Sequence, residues 1–487
     1  MSNDVRMRRL PAGELAKNFE EVIPPYTDQE AVTEAGRCLF CYDAPCMRAC
    51  PTHIDIPSFI KKIATDNLRG SARVILASNP LGLTCARVCP VDQLCEGGCV
   101  LGAHHKPIAI GRLQRHATDW LSATGEAPFM PGRWLGKKVA VIGSGPAGLS
   151  CAITLRQLGH EVTCYEARRQ PGGLDTFGIV SFREPVAIAL AEARFAEQAG
   201  VKFVLGTRVG QDVKLEQLLA DFDAVLLSAG LGRVPQLGIE GEGLPEVLDA
   251  LEFIERTKTE SLDQIAIGRR VAVIGAGNTA IDAATASKRL GAEEVSIVYR
   301  RSLAEMPAYA FEYDFAKMDG VIFRWLTAPV RVLGEQGHVS GLECVRMKLG
   351  APGPDGRAKP EAIAGSTFTL PVDMVIKAVG QEGRFEWLAP LGLAVKAGRF
   401  VVDPQTGATS HPKLFAAGDC AGEGGAEATV VAVVEAGKRA AYGIDAQLGG
   451  PALRAGTGAS QARILGGPIP LRPASASPPY VPQGVHA

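Results

Sequence analysis

Eight of the twelve cysteines in this 487-residue chain lie between Cys38 and Cys99. They form two runs, Cys38-x2-Cys41-x4-Cys46-x3-Cys50-Pro51 and Cys85-x3-Cys89-Pro90-x4-Cys95-x3-Cys99. Thiolates are soft donors and a [4Fe–4S] cluster takes four ligands, so eight clustered thiols predict two such clusters. In the bacterial ferredoxin run the fourth cysteine, followed by proline, ligates the other cluster. By that logic Cys50 leaves the first cluster, which takes Cys38, Cys41, Cys46 and one ligand from the second run. Zinc is the competing chemistry. Four-sulfur zinc sites show paired knuckles of closely spaced cysteines, and only the first run begins that way. Disulfides would suit a secreted chain. The N-terminus MSNDVRMRRLPAGELAKNF has no apolar stretch of the secretory kind, so reduced thiols in a cytoplasmic protein are expected. Cys151, Cys164, Cys344 and Cys420 sit among apolar residues and glycines and read as ordinary small core residues.

A second chemistry is written in glycines. Gly143-Ser144-Gly145-Pro146-Ala147-Gly148 follows the apolar run VAVI and opens an apolar helix. In that context the three glycines give a tight turn, a close approach of backbone to a pyrophosphate, and close helix–strand packing. Glu166 ends the next strand, where a carboxylate can accept from both ribose hydroxyls and would repel a 2′-phosphate. Gly172 and Gly173 follow, again bringing backbone near a cofactor. A second copy, Gly275-Ala276-Gly277-Asn278-Thr279-Ala280, replaces the third glycine with Ala280. The strand after it ends at Tyr299 and is followed by Arg300 and Arg301, with no acid in that place. Guanidinium groups there suit a 2′-phosphate, which favours NADPH over NADH on physical grounds.

These motifs need elements to hold them. At about 150 residues per domain the length suggests three domains. Lys+Arg 51 against Asp+Glu 52 gives a net charge of -1, no electrostatic basis for binding nucleic acid or an anionic membrane. No apolar stretch is long enough for a spanning helix. The helix-like cysteine segment and the two strand–turn–helix–strand units predict an α-helical domain over 1–125 binding both clusters. They also predict a discontinuous FAD-binding domain (126–267 plus 371–449) and an NAD(P)H-binding domain (268–370). Period-2 alternation over 321–372 suggests an antiparallel excursion, and the Gly-, Pro- and Ala-rich 450–487 suggests a disordered tail.

Ser228-Ala229-Gly230 and Ala417-Gly418-Asp419 resemble turns of two-dinucleotide flavoproteins, which assigns FAD to the first site, with Asp419 at the ribityl chain. The expected fold is therefore an α/β two-dinucleotide-binding flavoprotein, two Rossmann-like domains of disulfide-oxidoreductase type, behind an N-terminal α-helical iron–sulfur domain. The segments CLFCYDAPCMRACPTHIDIPSFI, NPLGLTCARVCPVDQLCEGGCVLG and PIAIGRLQ resemble the N-terminal half of dihydropyrimidine dehydrogenase, and more distantly the glutamate synthase small subunit. That resemblance implies one cluster on Cys38, Cys41, Cys46 and Cys99. It implies another on Cys50, Cys89, Cys95 and the amide oxygen of Gln114, with Cys85 spare. In the glutamate synthase pattern the Cys85 position is the ligand instead. The resemblance further implies an electron-input subunit, taking reducing equivalents from NAD(P)H through FAD and both clusters to an FMN-containing iron–sulfur partner that reduces uracil or thymine. The stretch SLAEMPA after Arg301 is closer to the glutamate synthase style, and some bacterial relatives use NADH, so the coenzyme stays open.

Overall fold

The computed structural model describes residues 10–353, 358–383, 385–422 and 429–450. The tail expected over 450–487 lies, from residue 451 onward, outside the described residues.

Short capped helices carry the cysteine runs. Asp55 caps Ile56–Ala64 by accepting from the Ser58 amide at 3.2 Å, and Ile56, Phe59, Ile60 and Ile63 repeat at helical spacing on its buried face. Asn67 caps Leu68–Ser78 by accepting from the Gly70 amide at 2.8 Å. Gly82–Val88 and Ile110–Thr124 complete the module, the latter ending at Gly125 in the left-handed region at φ 70°. Phe59, Ile75, Leu83 and Leu113 share one core. Truncating Phe59 to alanine would cost about 3–5 kcal/mol.

Two parallel five-stranded sheets follow. The first runs Leu414–Ala416, Ala224–Leu227, Lys138–Ile142, Glu161–Tyr165, Lys202–Val204. The second runs Val247–Asp249, Met374–Lys377, Arg270–Ile274, Glu294–Val298, Ile322–Arg324. In each, the strand before the glycine turn is central, with its sequence successor on one side and a late-returning strand on the other. The glycine turns thus sit at the carboxyl ends of the strands, where the order reverses. An antiparallel sheet of Thr327–Glu335, His338–Pro352 and Ala358–Leu370 packs on the second sheet through Val332, Leu342 and Cys344.

Two expected boundaries are corrected. Val247–Asp249 and Met374–Lys377, assigned from sequence to the FAD part, belong to the second sheet, where Val375 pairs with both Val247 and Ala272. Helix Ala12–Asn18, assigned to the cysteine domain, joins the apolar core that surrounds the second sheet instead. Its Leu15 joins the core of Val180, Phe182 and Phe253, and Asn18 exchanges hydrogen bonds with Arg289 at 3.0 and 2.7 Å.

Helix Val430–Gln447 ties the modules together. A side chain at Gly437 would strike the Ala147 backbone, so glycine lets this helix lie against Pro146–Leu158. The Ser150 hydroxyl donates to Val434 O at 2.7 Å, and Lys438 Nζ donates to Ser78 O at 2.7 Å in the cysteine module.

Candidate redox site

The eight clustered thiols separate into two cavities. Cys38, Cys41, Cys46 and Cys99 line one, among Pro45, Ile56, Ile60 and Ile108. Cys50, Cys85, Cys89, Cys95 and Gln114 line the other, with Asn79, Ile54, Val91 and Val431. The same local device feeds the second cavity twice. Helix Pro45–Ala49 stops at Cys50 and helix Gly82–Val88 stops at Cys89, each in extended backbone, and each is followed by a proline that cannot continue the helix. Cys50 is thereby carried away from Cys46, and Cys99 takes the fourth place in the first cavity. Gln114 Nε2 donates to Gly82 O at 2.8 Å, and no described group donates to its Oε1.

Both linings suit a polynuclear metal group. Burial pushes the Cys46 thiol up to about 12, and pushes Cys85 and Cys95 well above the ordinary thiol range. Thiolates so buried need a compensating cation, which iron supplies. Among the described residues, no three His, Cys, Asp or Glu side chains converge tightly enough for a single metal ion. Thiols ringing a cavity fit a cluster better than a tetrahedral zinc.

The first glycine turn is assembled from five segments. Gly143 has φ 98° and a side chain there would meet Ser228 O at 2.5 Å, while one at Gly148 would strike Gly143 O. Gly145 lies in extended backbone before Pro146, the first residue of the helix, and its nearest neighbour on the side-chain side is Gly173 Cα at 3.9 Å. The free amides of that helix start face this opening, the arrangement that receives a phosphate. Glu166 is buried; its Oε2 accepts from Ser144 N at 3.0 Å and Ser144 Oγ at 2.6 Å, its Oε1 from Arg168 N at 2.9 Å. Gly172 N donates to Ser144 O at 3.1 Å, and Gly173, at φ 58°, brings its backbone against Gly145. Gly418 lies against Ala147, 3.0 Å from its Cβ to a side chain built there, and Asp419 follows with its carboxyl pushed up by burial. Gly230 has φ 63° and open space beside it. Sequence reasoning did not give Ser144 a role; the structure makes it the hinge between Glu166 and Gly172.

The second turn is lined differently. Gly275 has φ 124° and Gly277 stands extended before Asn278, the first residue of helix Asn278–Arg289. Thr279 follows, and Ala280 is fully buried where the first turn has Gly148. Pro307, Ala308 and Tyr309 cross over this turn: Ala308 N donates to Ala276 O at 3.2 Å and Tyr309 N to Asn278 Oδ1 at 3.3 Å. Arg300 is exposed, whereas Arg301 Nε donates to Ala358 O at 3.2 Å. The two arginines therefore differ in freedom, a difference their adjacency did not signal.

A buried acidic group joins the cysteine module to the first sheet, and no motif announced it. Glu192 Oε1 accepts from Leu83 N at 2.7 Å and Thr84 N at 3.1 Å, capping helix Gly82–Val88 from another element. The Thr84 hydroxyl oxygen lies 2.6 Å from both Glu192 Oε2 and Glu184 Oε1. One hydroxyl proton cannot serve both, so one of the two carboxyls carries a proton and donates to Thr84.

Comparison with known proteins agrees with these features. Residues 15–126 match the family model described as dihydropyrimidine dehydrogenase domain II, 4Fe-4S cluster, and residues 137–436 match that of pyridine nucleotide-disulphide oxidoreductases. The glutamate synthase [NADPH] small chain of Halomonas elongata is 37% identical over 450 residues, 90% of this chain and 94% of its own length. The NAD-dependent dihydropyrimidine dehydrogenase subunit PreT of Escherichia coli is 37% identical over 437 residues, 89% of this chain and 98% of its own. FprA of Mycobacterium tuberculosis, solved in complex with NADPH, shares the fold: TM-score 0.55 at 21% identity over 64% of this chain and 84% of that one. Among the described residues no helix is long and apolar enough to cross a membrane. Its cofactors are FAD, [4Fe–4S] clusters and a nicotinamide dinucleotide, and it is related to proteins that work as subunits. The chain belongs to the pyridine nucleotide-disulphide oxidoreductase family, in the group that carries an N-terminal 4Fe-4S domain and includes PreT and the glutamate synthase small chains.

Proposed function

We propose that this chain is the electron-input subunit of a dihydropyrimidine dehydrogenase. FAD accepts hydride from NAD(P)H, and the iron–sulfur clusters carry single electrons to an FMN-containing iron–sulfur partner that reduces uracil or thymine. The carrying observation is the sorting of the thiols into two cavities beside a sheet that bears a dinucleotide turn.

Cys38, Cys41, Cys46 and Cys99 would hold one cluster, and Cys50, Cys89 and Cys95 three corners of the other. Gln114 Oε1 would supply the fourth, because its amide nitrogen is tied to Gly82 O and its oxygen is left without a donor; Cys85 is the alternative in the same lining. Gly143, Gly145, Pro146, Ala147 and Gly148 would receive the FAD pyrophosphate. Glu166 would take the ribose, while Gly172, Gly173 and Gly230 leave room for backbone contact. Gly418 and Asp419 would face the ribityl chain. Gly275, Gly277, Asn278, Thr279 and Ala280 would receive the nicotinamide dinucleotide, and Arg300, the freer of the two arginines, would reach a 2′-phosphate ahead of Arg301.

A glutamate synthase small chain is the second reading, supported by the 450-residue match to that protein in Halomonas elongata. Co-purification of the tagged chain separates the two. An FMN-binding partner that confers NAD(P)H-dependent uracil reduction supports the first reading, and a large glutaminase-type partner supports the second and overturns the first.

A further inference from the structure

Asn79 follows helix Leu68–Ser78 and is fully buried. Its backbone amide donates to Ile75 O at 2.9 Å. Its side-chain Oδ1 accepts from Leu81 N at 3.1 Å. That bond settles which way round the amide stands, because Nδ2 in the place of Oδ1 would set donor against donor. With Oδ1 committed, Nδ2 is a buried donor that faces the Cys85 thiol without closing a hydrogen bond of ordinary geometry to any described group. Asn79 belongs to the lining of the second cavity, together with Cys50, Cys85, Cys89 and Cys95. Folded proteins rarely leave such a group unpaired, so its partner is what the cavity holds. The first cavity offers a contrast: cysteines, apolar residues, proline and glycine make up its lining, with no side-chain amide.

We propose that Asn79 is a positioning residue for the second cluster, donating from Nδ2 to a sulfur of that cluster, cysteinyl or inorganic, and raising its reduction potential. The inference rests on the reading that the second cavity holds a [4Fe–4S] cluster. Reduction adds negative charge that spreads over the sulfurs, so a donor to sulfur stabilises the reduced form more than the oxidised one.

The test is a redox titration of anaerobically purified full-length protein, followed by electron paramagnetic resonance. Asn79→Leu keeps the volume and removes the donor; Asn79→Asp keeps the acceptor for Leu81 and removes the same donor. With iron and sulfide content unchanged, one cluster is expected to titrate at lower potential, its reduced fraction at fixed ambient potential falling roughly tenfold, while the other cluster is unmoved. Equal potentials in wild type and either iron-replete variant overturn the role of Asn79, and so does a matched shift of both clusters. Should both variants lose iron, 15N-labelled asparagine in the wild type decides. A spin-echo coupling between the reduced cluster and an amide nitrogen supports the bond, and its absence overturns it. Wild-type protein without acid-labile sulfide would overturn instead the reading of the cavity.

Discussion

The lining of the first thiol cavity includes Leu39 and Val100, both exposed. The second is lined by fully or largely buried residues, Cys50, Cys85, Asn79 and Gln114, and by Val431 of the helix that packs on the first glycine turn. One cavity therefore faces outward with four thiols and no surplus. The other faces the dinucleotide sheet with five donors and an unpaired amide. A chain that receives electrons inside and delivers them outside needs that asymmetry: a cluster near the flavin, and another under an apolar surface that a partner can cover. The difference also shows where local spacing stops being informative. Both cavities draw thiols from both cysteine runs, so neither run is a site by itself.

The asymmetry can be broken most severely at the thiols. Cys46→Ser should remove the outer cluster and Cys95→Ser the inner one, each cutting iron content by about half while preserving the other signal. Loss of both clusters from either variant would show that the cavities are not independent sites. A sharper cut lies within the inner cavity. Gln114→Leu should lose or degrade the inner cluster, whereas Cys85→Ser should leave iron content and spectrum near wild type; the reverse pattern would move the fourth ligand to Cys85.

The smallest expected effect is a pH dependence confined to the inner side. Burial pushes Glu192 up to about 8 and Glu184 up to about 7 from an ordinary value of 4.5, with Lys258 opposing the rise at Glu184 and Thr84 opposing it at both. Asp175 is raised as well by burial and by the neighbouring Glu184. Carboxyls raised on folding hold protons more tightly in the folded state. Their stabilising contribution is therefore complete below the unfolded value near 4.5 and is lost as pH rises through 7 to 8. Hydrogen exchange at the Leu83 and Thr84 amides, which Glu192 caps, should accelerate over that range beyond the intrinsic pH effect. The amides around Cys38 and Cys41 should follow the intrinsic rate alone. Equal behaviour at the two cavities would remove this part of the contrast.

Much of the fold is legible in the sequence because strand, glycine turn and helix are contiguous: VAVIGSGPAGLS and VAVIGAGNTAID each specify a local unit. Sheet membership of distant strands is not. Met374–Lys377 is buried at all four positions, and a strand covered on both faces carries no alternation to say which sheet it joins. Val247–Asp249 is three residues long and has no pattern at all. At the candidate site, the departure of Cys50 from the first cavity follows from Pro51, a local signal. The arrival of Cys99 depends on how the second run folds back, and only the family resemblance supplied it. Gln114 came from the same source. Asn79, Thr84, Glu184 and Glu192 had no signal, because a buried polar group acquires meaning from neighbours about 30 to more than 100 residues away.

The central claim is that reducing equivalents enter this chain from a nicotinamide nucleotide and leave it through iron and sulfur. Anaerobic titration of the purified chain with NADPH and then NADH, followed by absorbance and electron paramagnetic resonance, tests it directly. The account predicts that at least one nucleotide bleaches the bound flavin and that signals of reduced [4Fe–4S] clusters then appear. A flavin that neither nucleotide bleaches would contradict it.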